Sequence, residues 1–227
     1  MNVGLVGLGR MGQVLARKLA GRGKLCVFDR GFGRARRLAD ELNISAADCL
    51  ADIVEQDVVI LALPEQEVLR CIQYFNQLKQ SLVVINVATN VSQQALNETA
   101  ELPVRGIGVK FIGHAGEMAL GLEPVIVVEE KPAELAELAA NLFRPVGTVM
   151  FGRSDMVSVI NGAAAEAALT AAVQIEKTLR FQGVSNEDMI KSAIRQVAAG
   201  ILKAYANNDL GPFAQKVVDS LNLKWNN

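Results

Sequence analysis

Gly7-Leu8-Gly9-Arg10-Met11-Gly12 sets three glycines in the spacing G-x-G-x-x-G, directly after the apolar run 2–6 and at the head of an amphipathic stretch. In that context each glycine has its own task. The first permits a tight turn, the second lets backbone approach a pyrophosphate, and the third allows a helix to lie close against a strand. A helix that opens with Arg10 and Met11 presents free amides and the positive end of its dipole to an anion. A second apolar run, 24–28, ends at Asp29, about 20 residues beyond the motif, where a carboxylate can accept a hydrogen bond from a ribose hydroxyl. The chemistry implied is the binding of a dinucleotide, NADP(H) or NAD(H). Asp29 favours a free 2′-hydroxyl. Arg30, Arg34, Arg36 and Arg37 favour a phosphate, because guanidinium groups bind phosphate in bidentate fashion. Arg36 or Arg37 is expected on a solvated helix face, so Arg30 and Arg34 are the candidates for cofactor contact, and the balance falls toward NADP.

The elements that would hold these residues follow from the apolar pattern. Short runs rich in Val, Ile and Leu alternate with amphipathic segments, the sequence form of βα units around a buried parallel sheet. Strands are expected at 2–6, 24–28, 44–46, 57–63, 82–87 and 104–111, with helices at 10–22, 32–42, 48–55, 65–78 and 91–99. Two further strands, 124–129 and 146–151, flank a helix that begins near Pro132. Beyond Arg153 the strand signal stops, and helices are expected at 156–181, 186–206 and 212–221. Ser185, with Asp188 three residues on, reads as a capping-box start for the second of these. The fold class is therefore α/β, a Rossmann-like doubly wound sheet over residues 1–152, followed by an all-helical domain over 153–227.

Composition narrows the function further. Of 227 residues, 51% are hydrophobic and 21% charged, and 23 basic against 24 acidic residues leave a net charge of −1. Such a balance gives no global field to attract nucleic acid or an anionic membrane, so neither is expected as a partner. Cys26, Cys49 and Cys71 show no C-x-x-C spacing and are read as buried thiols in a reducing compartment. The opening apolar run is too short for a secretory signal, and no apolar stretch is expected to reach the ~20 residues that span a bilayer. A cytoplasmic protein is expected.

Over nearly its whole length the sequence resembles the pyrroline-5-carboxylate reductases, within the wider β-hydroxyacid-dehydrogenase-like group. The resemblance is carried by the glycine motif, by Leu61-Ala62-Leu63-Pro64, by Asn86-Val87-Ala88-Thr89-Asn90-Val91-Ser92, by residues 125–130, by Gly147-Thr148-Val149, and by Gly183-Val184-Ser185-Asn186-Glu187-Asp188. It implies that Leu63, Pro64, Val87 and Ala88 also line the cofactor, the last two beside the nicotinamide. It also implies that the helical domain forms an intertwined homodimer and completes the neighbouring subunit's site. Three substrate elements depart from the family pattern. The Met-Pro-Asn-Thr-Pro loop is replaced by Phe111-Ile112-Gly113-His114-Ala115-Gly116. The Gly-Ser-Gly-Pro-Ala-Tyr helix opening is replaced by Asn161-Gly162-Ala163-Ala164-Ala165-Glu166, and the Pro-Gly-Gly-Thr-Thr loop is missing after Ser220.

His114, the only histidine, lies in the loop that the resemblance places near the nicotinamide, where it either supplies a proton or serves only local hydrogen bonds. Asn161 is a candidate for holding substrate or the cofactor carboxamide. Glu166 would bind an ammonium group or pack at a dimer contact. Lys110 and Glu117 are possible additions, Lys110 with the alternative of a surface lysine. The expected function is an NAD(P)-dependent reductase of a small imine or carbonyl acid. The rivals are a nucleotide-binding sensor that has lost the substrate site, and a dehydrogenase running in the opposite direction on a hydroxy acid. A homodimer through the C-terminal helices is expected on physical grounds too. Segment 153–221 has no sheet to pack on, its first helix is crowded with Gly162, Ala163, Ala164, Ala165, Ala167, Ala168, Ala171 and Ala172, and Ile190, Ile194, Val197, Ile201 and Leu202 form a stripe that needs a partner.

Overall fold

A computed structural model describes residues 1–225 of the chain. Eight strands form one sheet in the order β3-β2-β1-β4-β5-β6-β7-β8, with β1 (Asn2–Val6), β2 (Lys24–Phe28), β3 (Ser45–Ala46), β4 (Val58–Leu61), β5 (Leu82–Asn86), β6 (Val104–Ile112), β7 (Val125–Glu129) and β8 (Thr148–Gly152). The first six strands run parallel. β7 runs antiparallel to the second half of β6, and β8 is parallel to β7. The strand order reverses direction on either side of β1, and a ligand of such a sheet binds at that switch point, outside the carboxyl ends of the strands.

The two faces of the sheet explain the near-continuous apolar runs. On one face α1 (Arg10–Leu19), α2 (Phe32–Leu42) and α6 (Ala133–Phe143) bury Leu15, Leu38 and Phe143 against Leu5, Val27 and Ile126. On the other, α3 (Glu65–Leu78) and α4 (Gln93–Thr99) bury Ile72, Phe75 and Leu96 against Val59, Leu61 and Val84. All four residues of β4 are buried, as a strand covered on both faces must be. Ser92 caps α4, its side chain accepting the Ala95 amide at 3.0 Å.

The remaining helices are α5 (Ala115–Ala119), α7 (Met156–Phe181), α8 (Glu187–Ser192), α9 (Ala199–Ala206) and α10 (Pro212–Trp225). A π-helical turn, Ala193–Ala198, links α8 to α9. The chain divides into two compact units, Met1–Gly162 and Ala163–Asn227, so the first turns of α7 belong with the sheet.

Several local expectations need correction. The segment 48–55 forms only a 3-10 turn, Asp52–Glu55, and α1 stops at Leu19 because Gly21 adopts a left-handed φ of +78°. Helix α5 was absent from the sequence pattern, being a single short turn. Asn186, not Ser185, caps α8, its side-chain oxygen accepting the amides of Asp188 at 2.9 Å and Met189 at 3.0 Å. Of the three cysteines only Cys71 is buried; Cys26 is half-buried and Cys49 exposed. Finally, α7 is 26 residues long and, by length and composition alone, apolar enough to cross a bilayer. Its alanines separate Val157, Val159 and Ile160 from Leu169 and Val173, so no long unbroken run of large apolar residues marks it in the sequence.

Candidate functional site

The glycine loop leaves β1 at Gly7, whose φ of +93° only glycine adopts freely. A β-carbon there would lie 2.5 Å from the Ala62 carbonyl oxygen. One on Gly12 would lie 1.9 Å from the Gly7 carbonyl oxygen, so the third glycine lets α1 touch the turn that precedes it. Gly9 is different. A β-carbon on it would meet no atom within 4 Å, yet Gly9 is the N-cap of α1 and offers no side chain to the first-turn amides. The second glycine therefore preserves free space directly in front of unsatisfied helix amides, the arrangement that accepts a pyrophosphate.

Asp29 stands at the end of β2 with its carboxylate already engaged. One oxygen accepts the Leu8 amide at 2.7 Å and the other the Gly31 amide at 2.8 Å, so the side chain braces the glycine loop against the turn that follows β2. The Arg34 guanidinium lies 3.5 Å from the same carboxylate. Across from it, Glu67 on α3 lies 3.4 Å from Arg30 and 3.0 Å from Arg70. These groups and Tyr74 surround a cavity of about 610 Å³ that runs from Gly7 and Gly9 past Leu63 and Pro64. Its volume suits the adenosine half of a dinucleotide. Cys71 lines it too, and burial pushes its thiol up to about 11, with the Glu67 carboxylate adding to the shift.

Further along the carboxyl edge, β5 ends in a buried polar knot. Asn86 is fully buried; its amide nitrogen donates to the carbonyls of Ala88 and Val91, each at 3.3 Å, and its oxygen accepts the Ala88 amide at 2.9 Å. Lys110 of β6 is also fully buried and donates to the same two carbonyls, at 2.6 Å in the case of Val91. Burial lowers its ammonium to about 8, against the opposing pull of Asp155 and Glu129. Asp155 accepts the Gln93 amide at 3.2 Å, and Glu129 accepts both the amide, at 3.0 Å, and the hydroxyl, at 2.9 Å, of buried Ser154.

Residues 2–90 match the family model described as NADP oxidoreductase, coenzyme F420-dependent. No curated protein sequence matches the chain. Among solved structures, pyrroline-5-carboxylate reductase from Coxiella burnetii is similar with a TM-score of 0.71 at 14% identity, over 98% of this chain and 92% of that one. The 1-pyrroline-5-carboxylate reductase of Streptococcus pyogenes gives 0.69 at 19% identity, over 97% and 84%. An imine reductase from Myxococcus stipitatus in complex with NADP+ gives 0.67 at 15%, over 92% and 78%. The chain has the pyrroline-5-carboxylate reductase fold.

Within that fold the residues singled out in the sequence fall into groups. Gly7, Gly9, Asp29, Arg30, Arg34, Leu63 and Pro64 line one cavity. Gly12 is buried behind the loop, and Met11 packs against the core instead of facing the cavity. Arg10 is exposed at the helix start and borders a separate groove of about 410 Å³ between α1 and α5. Val87 and Ala88 sit at the carboxyl end of β5, in the polar knot. His114 is exposed as the residue before α5. Asn161 donates its amide to the Phe111 carbonyl at 2.8 Å, tying the first turns of α7 to the end of β6. Glu166 is exposed and belongs to the second unit. Glu67, Arg70 and Tyr74 carry no signal in the sequence, because α3 reads as an ordinary amphipathic helix, and Cys71, expected as a buried thiol, lines the cavity as well. Lys110 is no surface lysine; the two carbonyls at the end of β5 and nearby carboxylates compensate its burial.

Proposed function

We propose that this protein is an NADP(H)- or NAD(H)-dependent oxidoreductase that reduces a small imine or carbonyl acid. The observation that carries the reading is Gly9: the free volume at its missing β-carbon, in front of uncapped α1 amides and continuous with the 610 Å³ cavity, fits a pyrophosphate and its adenosine. The family model matched by residues 2–90 and the NADP+ complex of the imine reductase support the same cofactor class. When bound, the nicotinamide supplies the hydride. The chain's own part is to bind and orient. The Gly9 loop and the α1 amides hold the pyrophosphate, Asp29 braces that loop, and loop 88–91 stands at the nicotinamide end. Because both Asp29 oxygens already accept backbone amides while Arg30, Arg34 and Arg70 rim the cavity, NADP(H) is the favoured form. An imine fits the other end better than a carbonyl. His114 is exposed and Asn161 is committed to Phe111, whereas a protonated imine brings its own proton to the amine that forms.

Those two commitments also favour a second reading, a nucleotide-binding sensor with no substrate site. Titrating the protein with NADPH and NADH by nicotinamide fluorescence tests the cofactor, and steady-state oxidation of NADPH with small cyclic imines separates enzyme from sensor. Submicromolar to micromolar binding with turnover is expected; no binding of either dinucleotide refutes the oxidoreductase. We propose in addition that the second unit is covered by a second copy of the chain. It leaves Val197, Leu202 and Phe213 exposed at 59%, 57% and 82%, and α9 and α10 border an apolar groove of about 460 Å³. Light scattering at micromolar concentration should give twice the 24.4 kDa of the chain, and a monomer mass refutes the dimer.

A further inference from the structure

Loop 88–91 is held from below by two fully buried polar side chains that come from different strands. Asn86, the last residue of β5, contributes its amide, and Lys110 reaches across from β6. Both converge on the carbonyls of Ala88 and Val91, and the Val91 amide closes the turn onto Ala88 at 3.4 Å. A buried ammonium is costly, so a chain that needed only a core residue here would carry an apolar one. Lys110 is also kept in place electrostatically. Asp155, from the turn before α7, and Glu129, at the end of β7, are the charged groups that act on it from neighbouring elements. Asp155 in turn holds the amide of Gln93 at the start of α4, so the far side of the same loop is anchored to the same cluster.

We infer that Lys110 is a positioning residue of the proposed reaction, its ammonium drawing the Ala88 and Val91 carbonyls downward so that loop 88–91 keeps one shape against the nicotinamide. The inference rests on the dinucleotide reading given above. The side chain does not touch the cofactor or the reacting atoms; it acts through the loop. Its reach is confined to one end of the cleft, since the cavity for the adenosine half is built from β2, α3 and the glycine loop and contains no residue of β6.

The test compares a whole dinucleotide with the part that lacks nicotinamide, in the full-length protein: NADPH against 2′-phospho-ADP-ribose, or NADH against ADP-ribose if NADH binds more tightly. In Lys110→Met, affinity for the whole dinucleotide should fall about tenfold while affinity for the fragment stays within about twofold. Wild-type protein gives an independent readout if that variant fails to fold. The amine form makes weaker hydrogen bonds to carbonyls than the ammonium does. The ratio of dinucleotide to fragment affinity should therefore drop about threefold as pH rises through about 8, and should be flat in Lys110→Met. Unfolding cannot imitate this drop. The lysine ionises at about 8 when folded and at 10.5 in the open chain, so between those values the unfolded state holds more protons and this group makes the fold more stable as pH rises. A ratio unaffected by both the substitution and pH overturns the inference, as does an equal loss for dinucleotide and fragment, which would mark Lys110 as merely structural. If wild-type protein binds neither ligand, the cofactor reading itself has failed; if it binds both and the ratio does not move, only the role of Lys110 has failed.

Discussion

The two ends of the cleft are built in opposite ways. At the adenosine end the arginines stand at the surface: the Arg30 side chain is 77% exposed, and its pairing with Glu67 and that of Arg34 with the largely buried Asp29 are loose contacts at 3.4 and 3.5 Å. Loose pairs with a solvated arginine contribute little to folding, and the arginine costs little to exchange. At the other end, Asn86 and Lys110 are wholly buried, and the hydrogen bonds of their side chains go to backbone of the adjoining loop. A wet arginine rim can be altered without disturbing the sheet, so the choice between cofactors is separable from the fold. A dry polar knot cannot, because its members satisfy backbone groups that would otherwise be stranded.

Substitutions can break or sharpen that contrast. The largest effect is expected where the two ends share one support. In Gly12→Ala the new β-carbon would collide with the Gly7 carbonyl oxygen at 1.9 Å, so both ends should be lost together. We expect a destabilisation of about 3 kcal/mol or more, read as a fall in Tm of roughly 10 °C, with no measurable dinucleotide binding. A variant that melts like wild type would show that the loop can move aside. Asn86→Ala comes next, because it takes the partner from the part-buried Ala88 amide and a buried donor from the Val91 carbonyl; chemical denaturation should register a loss of about 1–3 kcal/mol. An unchanged denaturation midpoint would mean that the knot is less tightly coupled to the core than its burial suggests.

Gly9→Ala should separate binding from folding. No protein atom lies within 4 Å of the added carbon, so the melting curve should be unchanged while NADPH affinity drops at least about tenfold, roughly 1.4 kcal/mol of binding free energy. Full affinity in the folded variant would move the pyrophosphate elsewhere. The smallest effect belongs to the arginine rim. Arg30→Ala and Arg34→Ala should each weaken NADPH by about threefold to tenfold and leave both NADH affinity and stability untouched. Equal losses for the two cofactors would remove the 2′-phosphate from that rim.

The same contrast governs how much was readable in the chain. The glycine loop, Asp29, Arg30 and Arg34 lie within the 28 residues from Gly7 to Arg34, and the strand-turn-helix pattern around them supplies the context that gives them meaning. The strands themselves were legible for a similar reason, since buried parallel strands announce themselves as apolar runs. The polar knot was not legible, because Lys110 meets Ala88 and Val91 only through the register that sets Asn86 beside Gly108, and nothing local in Val109-Lys110-Phe111 distinguishes a buried lysine from a surface one. Glu67, Arg70 and Tyr74 were hidden by the opposite circumstance. Their spacing suits any amphipathic helix, and only the placement of α3 beside β4 turns them toward the cavity. The exchange of Ser185 for Asn186 as the α8 cap shows a smaller ambiguity, in which two competent capping residues stand side by side and backbone geometry selects one.

Cys71 gives the adenosine cavity a chemical character of its own. Thiolates, not thiols, react with peroxide and with alkylating agents, and a thiol held at about 11 keeps its proton throughout the neutral range. The cavity wall therefore carries sulfur without carrying a nucleophile. Cys49, by contrast, lies at the surface on the turn before Asp52; it does not itself line the cavity, although its neighbour Leu50 does. Mild oxidation or an electrophilic label would mark Cys49 before Cys71, which makes the exposed thiol a usable attachment point for a reporter at the edge of the cleft, next to Leu50.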